Sequence, residues 1–442
     1  MKSLSWLILC GTAAAALLRA APALAQAVAA AQPASVSLGS AWDDFLTRPT
    51  LTGNWGGLRT RLVHDGVTFN WSYVGEFAGN VAGGKRRGSD YAQQWTAATV
   101  FDLAKMSPTL TGKVTVTFNA REGRGSSPDF IGNKLGVQEV YGAGEDVRLS
   151  ELSYERDLLN HLLSVKGGYY AMGNDFAGTP ILCSFQNTGF CAHPISLPSN
   201  SGWSDYPTPK WGGRIRVNLP GGTAIETGIF EVNPTYADYG EGFKVSLSGS
   251  TGALIPVQID QHFNLGTAGL PGHVMLGGYY DTSDATDPAN ASVTYHGRYG
   301  GYIEADQMVW RFQPGTGRGL IAILEGTKSD VRTATMPGYV IAALVAKGPL
   351  ASRPNDFVGI GMVRAWANGN LIAKNEVAAQ AESDADPDYA LGEEVAELSY
   401  GVQVTPWLLL HPNLQYVVDP GAFTFKHTPN AWVLGMQTKI TF

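Results

Sequence analysis

The sequence predicts an all-β fold: one transmembrane antiparallel β-barrel of about 16 strands. A short helix precedes the barrel and a long loop folds into it. Three observations predict this. First, residues 432–442 alternate. Trp432, Leu434, Met436, Ile440 and Phe442 fall on one face, and Gly435, Gln437, Lys439 and Thr441 on the other, because successive strand side chains point to opposite sides. About 10 residues is the length a tilted strand needs to cross a bilayer, and no polar tail follows the final aromatic. Second, of 442 residues only 16% are charged, 10% are aromatic and 54 are Gly. That is not the composition of a disordered chain, which is highly charged and poor in rings. Third, beyond the N-terminus no run of ~18 apolar residues could form a spanning helix. A barrel hides its membrane character in this way, since only alternate residues face lipid.

The elements follow in order. Residues 1–25 read as a cleaved export signal: Lys2, an apolar stretch from Leu4 to Leu18, and Ala23-Leu24-Ala25 as a small-x-small cleavage site. Cys10 leaves with it. Its loss also removes Lys2 and Arg19 and no acid, which moves the net charge from −7 to −9. Such a chain lacks the clustered Lys and Arg that a nucleic-acid partner requires. Residues 26–50, rich in Ala, Gln and Ser, read as a flexible periplasmic leader. From 51 to 442 the chain is the barrel. A short amphipathic helix, Leu58 to His64, is stopped by Gly66.

Strands begin at Val67. Phe69, Trp71, Tyr73 and Phe77 oppose Asn70, Ser72 and Glu76. Val114, Val116 and Phe118 oppose Thr115, Thr117, Asn119 and Arg121. Leu152 and Tyr154 oppose Glu151, Ser153 and Glu155. Trp211, Ile215, Val217 and Leu219 oppose Arg214, Arg216 and Asn218. Ile303, Ala305 and Val309 oppose Glu304 and Asp306. Leu398, Tyr400, Val402 and Val404 oppose Glu397, Ser399 and Gln403. After a tight turn at Thr405-Pro406-Trp407, Leu408, Leu410, Leu414, Tyr416 and Val418 oppose His411, Asn413 and Gln415. The second face carries Arg, Glu, Asp and Asn repeatedly, as the wall of a water-filled lumen does. Trp55, Tyr73, Tyr169, Tyr170, Tyr279, Tyr280, Trp310, Trp407 and Trp432 lie near strand ends, where interfacial girdles form.

Two stretches break the rhythm. Asp175 to Pro209 is rich in Pro, Gly, Asn and Ser and holds Cys183 and Cys191. An even pair in an exported chain reads as a disulfide, and an ordered long loop can narrow a pore. His193 stands close by, but three candidate ligands in one loop match no established zinc spacing. No metal and no cofactor is expected. Residues 374–394 read as an exposed loop without such ties.

Several blocks, in order, carry a likeness. They are Leu51-Thr52-Gly53-Asn54-Trp55-Gly56-Gly57-Leu58-Arg59, Phe130-Ile131-Gly132-Asn133, Gly136-Val137-Gln138-Glu139-Val140-Tyr141-Gly142, Asn174-Asp175-Phe176-Ala177, Cys183 through Asn187-Thr188-Gly189-Phe190-Cys191, Asn200-Ser201-Gly202, Leu270-Pro271-Gly272-His273, Gly277-Gly278-Tyr279-Tyr280-Asp281-Thr282, Ala305-Asp306-Gln307-Met308-Val309, and Val404-Thr405-Pro406-Trp407 through Leu414 to Gly421. Over residues 51–442 the chain resembles the carbohydrate-selective porin (OprB) family of Gram-negative outer membranes. The resemblance implies a 16-stranded barrel that passes small sugars by facilitated diffusion. The charged, irregular stretch from Lys328 to Met336 departs from an expected strand or short loop, so substrate preference could differ from that of glucose-type members.

A pore selects by its width and by the groups at its narrowest point. Sugar hydroxyls both donate and accept. Arg supplies donors, carboxylates supply acceptors, and rings supply a stacking surface. The lumen-side candidates are Arg121, Glu122, Arg124, Glu151, Asp175, Arg214, Arg216, Glu304 and Asp306, with Trp203 as the aromatic. Against this stands the plainer reading that the charges only solvate the wall and pair with one another. Arg214 and Arg216, like charges on one face, need a partner or a use.

Three rival readings remain in view. A general or anion-preferring diffusion porin would show ion selectivity without sugar block. A barrel enzyme would need a nucleophile and base in reach of each other; no G-x-S-x-G or H-E-x-x-H is present, so no enzyme is expected. A soluble sugar-binding sandwich would not need detergent. The expected partners are small carbohydrates, outer-membrane lipid and lipopolysaccharide, and the barrel-insertion machinery, whose signal resembles a terminal strand ending in Phe442. Monomer and homotrimer are both open.

Overall fold

The computed structural model describes residues 38–142, 145–191, 193–382 and 390–442. The expected signal (1–25) and the first part of the leader lie outside the described residues. Part of the expected leader, residues 38–47, is described and is helical. They form helix α1 (Leu38–Thr47), a unit separate from Arg48–Phe442. Trp42 and Phe45, one turn apart, stack at 5.5 Å, an (i, i+3) contact that composition alone does not reveal.

The second unit is the barrel. Helix α2 (Leu58–His64) falls where the sequence places it. It ends at Gly66, whose φ of +97° suits glycine and where a Cβ would meet the Asp102 carbonyl at 2.6 Å. Sixteen strands follow. The first eight are β1 (Val67–Ala82), β2 (Gly88–Asp102), β3 (Lys113–Gly123), β4 (Val147–Leu158), β5 (Leu163–Tyr170), β6 (Lys210–Leu219), β7 (Thr223–Val232) and β8 (Gly252–Leu265). The others are β9 (Leu270–Thr286), β10 (Thr294–Arg311), β11 (Gly319–Ser329), β12 (Gly338–Lys347), β13 (Phe357–Trp366), β14 (Gly392–Thr405), β15 (Leu408–Val418) and β16 (Ala431–Thr441). Each pairs antiparallel with its sequence neighbours, and β1 pairs with β16 to close the barrel. Closure leaves no sheet edge, which a lipid environment requires because no water is there to satisfy free backbone groups. At the seam the Phe442 N–H donates to the Trp71 carbonyl at 2.9 Å.

Alternation sorts the two faces. Trp432, Leu434 and Met436 are exposed on the outer face, and so are Ile215, Ile225, Val257, Leu276, Ile303, Leu324, Ile360 and Leu398. Such a continuous apolar belt is a lipid-facing surface. The expected aromatic girdle is corrected in part. Tyr280, Trp310 and Trp432 are exposed, whereas Tyr169, Tyr170, Tyr279 and Trp407 are buried. Adjacent rings on one strand cannot both face lipid. Tyr170 and Tyr279 pack inside with Trp203, and the Tyr169 hydroxyl donates to the Lys244 carbonyl at 2.6 Å.

The rim that holds the start of β1 and the end of β16 carries mostly tight turns, such as 159–162, 220–222 and 406–407. The opposite rim carries the long connections 124–146, 171–209 and 367–391. In the last of these the expected exposed loop is corrected: helix α3 (Gly369–Glu382) starts where Asn368 accepts from the Asn370 N–H at 2.9 Å, an N-cap the sequence reading missed. Residues 383–389 lie outside the described residues.

Candidate functional site

The lumen is not an open tube, and the inner wall explains why. In β12, Tyr339, Ile341, Ala343 and Val345 face inward and are buried, although Leu344 on the alternate face is exposed. A strand apolar on both faces must be covered on both. Here the inner cover is protein. Leu135 and Val137 from the 124–146 connection, and Leu182, Phe185 and Phe190 from 171–209, pack in one core with Ile341, Val363, Val395, Val417 and Val433. Cys183 and Cys191 are joined in a disulfide within this segment, as the sequence leads one to expect.

Buried carboxylates fasten both inward connections, 124–146 and 171–209, to the wall. Glu397 on β14 accepts from the backbone N–H groups of Gln186 and Asn187 at 2.7 and 3.0 Å. Glu393 accepts from Lys134 and Leu135 at 2.7 and 2.8 Å. Glu76 accepts from Val140 at 3.1 Å and from Gln437 at 2.7 Å. Loop backbone buried without secondary structure needs such partners. With Gln415 on β15, which accepts from the Asn187 side chain at 3.0 Å, the polar lumen faces of β1, β14 and β15 therefore serve these two connections.

Free space remains mainly beside β3 to β10, in two chambers that share Asn174, and a further pocket of about 640 Å³ lies at the short-turn rim by Lys347, Phe357 and Gln403. Of the two chambers, the one toward the long-loop rim measures about 1090 Å³ and the one toward the short-turn rim about 590 Å³. Arg121, Glu139, Trp203, Asp205 and Tyr206 line the first. Arg121 donates to Gln94 at 2.8 Å. Burial pushes the Glu139 carboxyl up, with Arg121 opposing and Asp205 adding to the shift. Burial opposes charge on His193, but the Asp205 carboxylate at 2.7 Å outweighs it, and the imidazole titrates above its ordinary value. Trp203 is 4% exposed and wedged edge-on against Tyr279 and Tyr302 at 5.9 and 5.8 Å, so most of its ring is packed. Its indole N–H, though, has no hydrogen-bond partner among the described residues.

Asp175, Arg216, His273, Glu304 and Asp306 line the second chamber. A ladder of alternating charge runs along its wall. Arg216 contacts Glu226 and Asp260, each at 3.0 Å. Arg214 pairs with Glu155 and stands 3.5 Å from Asp175 and 4.0 Å from Glu226. The interleaved carboxylates are what allows two arginines on one face. Glu151 pairs with Lys166 at 3.3 Å.

Of the ten expected site residues, the structure brings Arg121 and Trp203 to one chamber and Asp175, Arg216, Glu304 and Asp306 to the other. Arg214 and Glu151 lie in the wall without lining either chamber. Two depart from the expectation. Glu122 is on the exposed face of β3, beside Gln93 at 3.2 Å, because its neighbour Arg121 takes the inward position. Arg124 lies beyond the strand, largely exposed and paired with Asp129 at 2.5 Å. The sequence reading missed Glu226, Asp260 and His273. Each lies on an alternating strand, and cross-strand register would have been needed to place them opposite Arg216 and Asp306.

Comparison with known proteins settles the family. The sequence profile of the carbohydrate-selective porin, OprB family matches residues 86–442. The chain belongs to that family. It is 32% identical to Porin B of Pseudomonas aeruginosa over 417 residues, which cover 89% of this chain and 91% of the relative. A structure of Pseudomonas putida OprB determined at high pH superposes with a TM-score of 0.83 at 31% identity, covering 90% of this chain and 99% of that one. The low-pH structure of that protein gives 0.58 at 25% identity. The chain is thus a porin of the Gram-negative outer membrane, a channel by family and fold. Outer-membrane barrels place short turns in the periplasm, so the short-turn rim is periplasmic.

Proposed function

We propose that this porin passes small neutral sugars by facilitated diffusion, with the periplasmic chamber as its selective passage. The observation that carries the reading is the charge ladder on that chamber's wall. Arg216 with Glu226 and Asp260, and His273 with Asp306, set donors beside acceptors. Paired charges keep hydrogen-bonding capacity for hydroxyls while largely cancelling the field that would favour one ion. The carbohydrate-selective porin family supports sugars as the class of solute. An anion-preferring pore fits less well, since Asp175, Asp260, Glu304 and Asp306 stand against Arg216 and Lys347 there.

Binding must be weak for a solute to leave, about millimolar or about 4 kcal/mol. The test is single-channel conductance in a planar bilayer with glucose and then longer sugars titrated in. Saturable reduction of ion current is expected. Conductance indifferent to every sugar would leave a general diffusion porin.

A further inference from the structure

We propose that His273, Glu304 and Asp306 form a binding site for a divalent transition-metal cation, Zn2+ by the chemistry of its donors, in the wall of the periplasmic chamber. The site is assembled by register. His273 on β9 is the direct cross-strand partner of Asp306 on β10, and Glu304 is the next inward residue of β10. The His273 Nδ1 lies 3.1 Å from the Asp306 carboxylate and 4.0 Å from that of Glu304, and one ligand atom from each residue falls within 4.8 Å of the others. Ligand atoms around four-coordinate zinc are roughly 3.3 Å apart, so modest side-chain rotations close the set.

Two further observations point to a cation as the ligand. The Glu304 residue is 2% exposed, yet neither carboxylate oxygen accepts a hydrogen bond among the described residues. Directly opposite it on β11 stands Glu325, also buried, whose one bond comes from Thr179 at 3.1 Å and whose other oxygen is unpartnered. Two buried carboxyls opposed across a sheet cannot both ionise without a cation between them, and a buried carboxylate without a partner is costly. A protonated His273 would serve Asp260 and Asp306 but leave Glu304 as it is. A dication on Nδ1 would meet Glu304 and Asp306 together.

The outer shell is also in place. The second ring nitrogen of His273 is 3.4 Å from Asp260, the carboxylate–imidazole–metal arrangement that fixes the tautomer and strengthens the ligand. One imidazole with two carboxylates suits Zn2+ and its neighbours rather than Ca2+ or Mg2+, which take oxygen alone. Three protein ligands leave a position open toward the chamber that all three residues line, where water or a solute hydroxyl can coordinate.

The test uses metal-stripped, detergent-solubilised protein titrated with Zn2+ by calorimetry and with Co2+ by visible absorption. One saturable Zn2+ per chain is expected, with affinity rising with pH because the imidazole must be deprotonated. A tetrahedral Co2+ spectrum is expected from the same protein. Glu304→Gln and His273→Asn should each weaken Zn2+ binding more than tenfold, and Asp260→Asn by about 10-fold or more, as outer-shell changes do. Heat-modifiable migration on gels confirms that each variant is folded. Should the variants not fold, X-ray absorption of the Zn2+-loaded parent protein decides: one imidazole with carboxylate oxygens supports the site, and any other ligand set overturns it. No stoichiometric Zn2+ uptake by the parent protein also overturns it, as does unchanged affinity in folded Glu304→Gln.

Discussion

Arg214 and Arg216 sit two residues apart on one strand face, yet they do different work. Arg214 is buried among Glu155, Asp175 and Glu226, whereas Arg216 reaches the periplasmic chamber between Glu226 and Asp260. Arg216→Ala is expected to weaken sugar block of the ion current roughly tenfold, because a hydrogen bond from a charged group contributes about 1.5–3 kcal/mol. Arg214→Ala should instead reduce the resistance of the barrel to thermal unfolding, by leaving buried carboxylates unpaired. Titration of sugar against single-channel current, beside gel heat-modifiability, separates the two. In the other chamber His193 gives a pH dependence of known sign. Its pKa is raised by Asp205 despite burial, so the stability it contributes is full below the ordinary imidazole value of about 6.5 and is lost as pH rises through the raised one. Glu139, also raised, acts in the same direction. Hydrogen exchange in the 171–209 segment should therefore quicken as pH increases, after correction for intrinsic rates. His193→Ala should flatten that response, and an unchanged slope would show that the pair does not hold the loop.

At the scale of elements, the inward segment is held by a few carboxylates rather than by its disulfide alone. Glu397→Ala removes the acceptor for two buried N–H groups, each costing about 1–3 kcal/mol when left unmet. The segment should loosen, with conductance rising and sugar block weakening together; closed-like conductance in this variant would mean the apolar packing of Phe185 and Phe190 suffices. These contacts also show what the sequence could and could not reveal. The alternation of β16, the turn at Pro406 and the helix at Leu58–His64 are local patterns, and each was legible. The apolar inner face of β12 was visible as Tyr339-Val340-Ile341-Ala342-Ala343-Leu344-Val345, but alternation alone does not say that a loop some 150 residues earlier covers it. The candidate site was legible to the same degree. Period 2 identifies inward residues such as Asp306, whereas at a strand end it does not by itself tell which of the neighbours Arg121 and Glu122 faces the lumen. The role of His273 does not show in its own strand, because its partner Asp306 lies across the register on another.

For the whole molecule, the inward connections divide the lumen and leave a periplasmic chamber bounded by an acid-rich wall. The inward connections pack mainly against β11 to β16, and the two chambers that meet at Asn174 are lined mainly by β3 to β10. At the periplasmic end, Asp175, Asp260, Glu304 and Asp306 exceed Arg216 and Lys347. A narrow channel with low-dielectric walls concentrates counter-ions of the opposite sign. With metal-free protein, the reversal potential across a KCl gradient should therefore show a modest cation preference, and that preference should fall as salt shortens the Debye length from about 10 Å at 0.1 M toward about 3 Å at 1 M. Asp306→Asn should reduce the preference without abolishing conductance, because Asp306 is the more exposed carboxylate of the His273 group. An anion preference in the parent protein would mean that the arginines, and not the acids, set the field along the passage, and the assignment of the periplasmic chamber as the selective one would have to be abandoned.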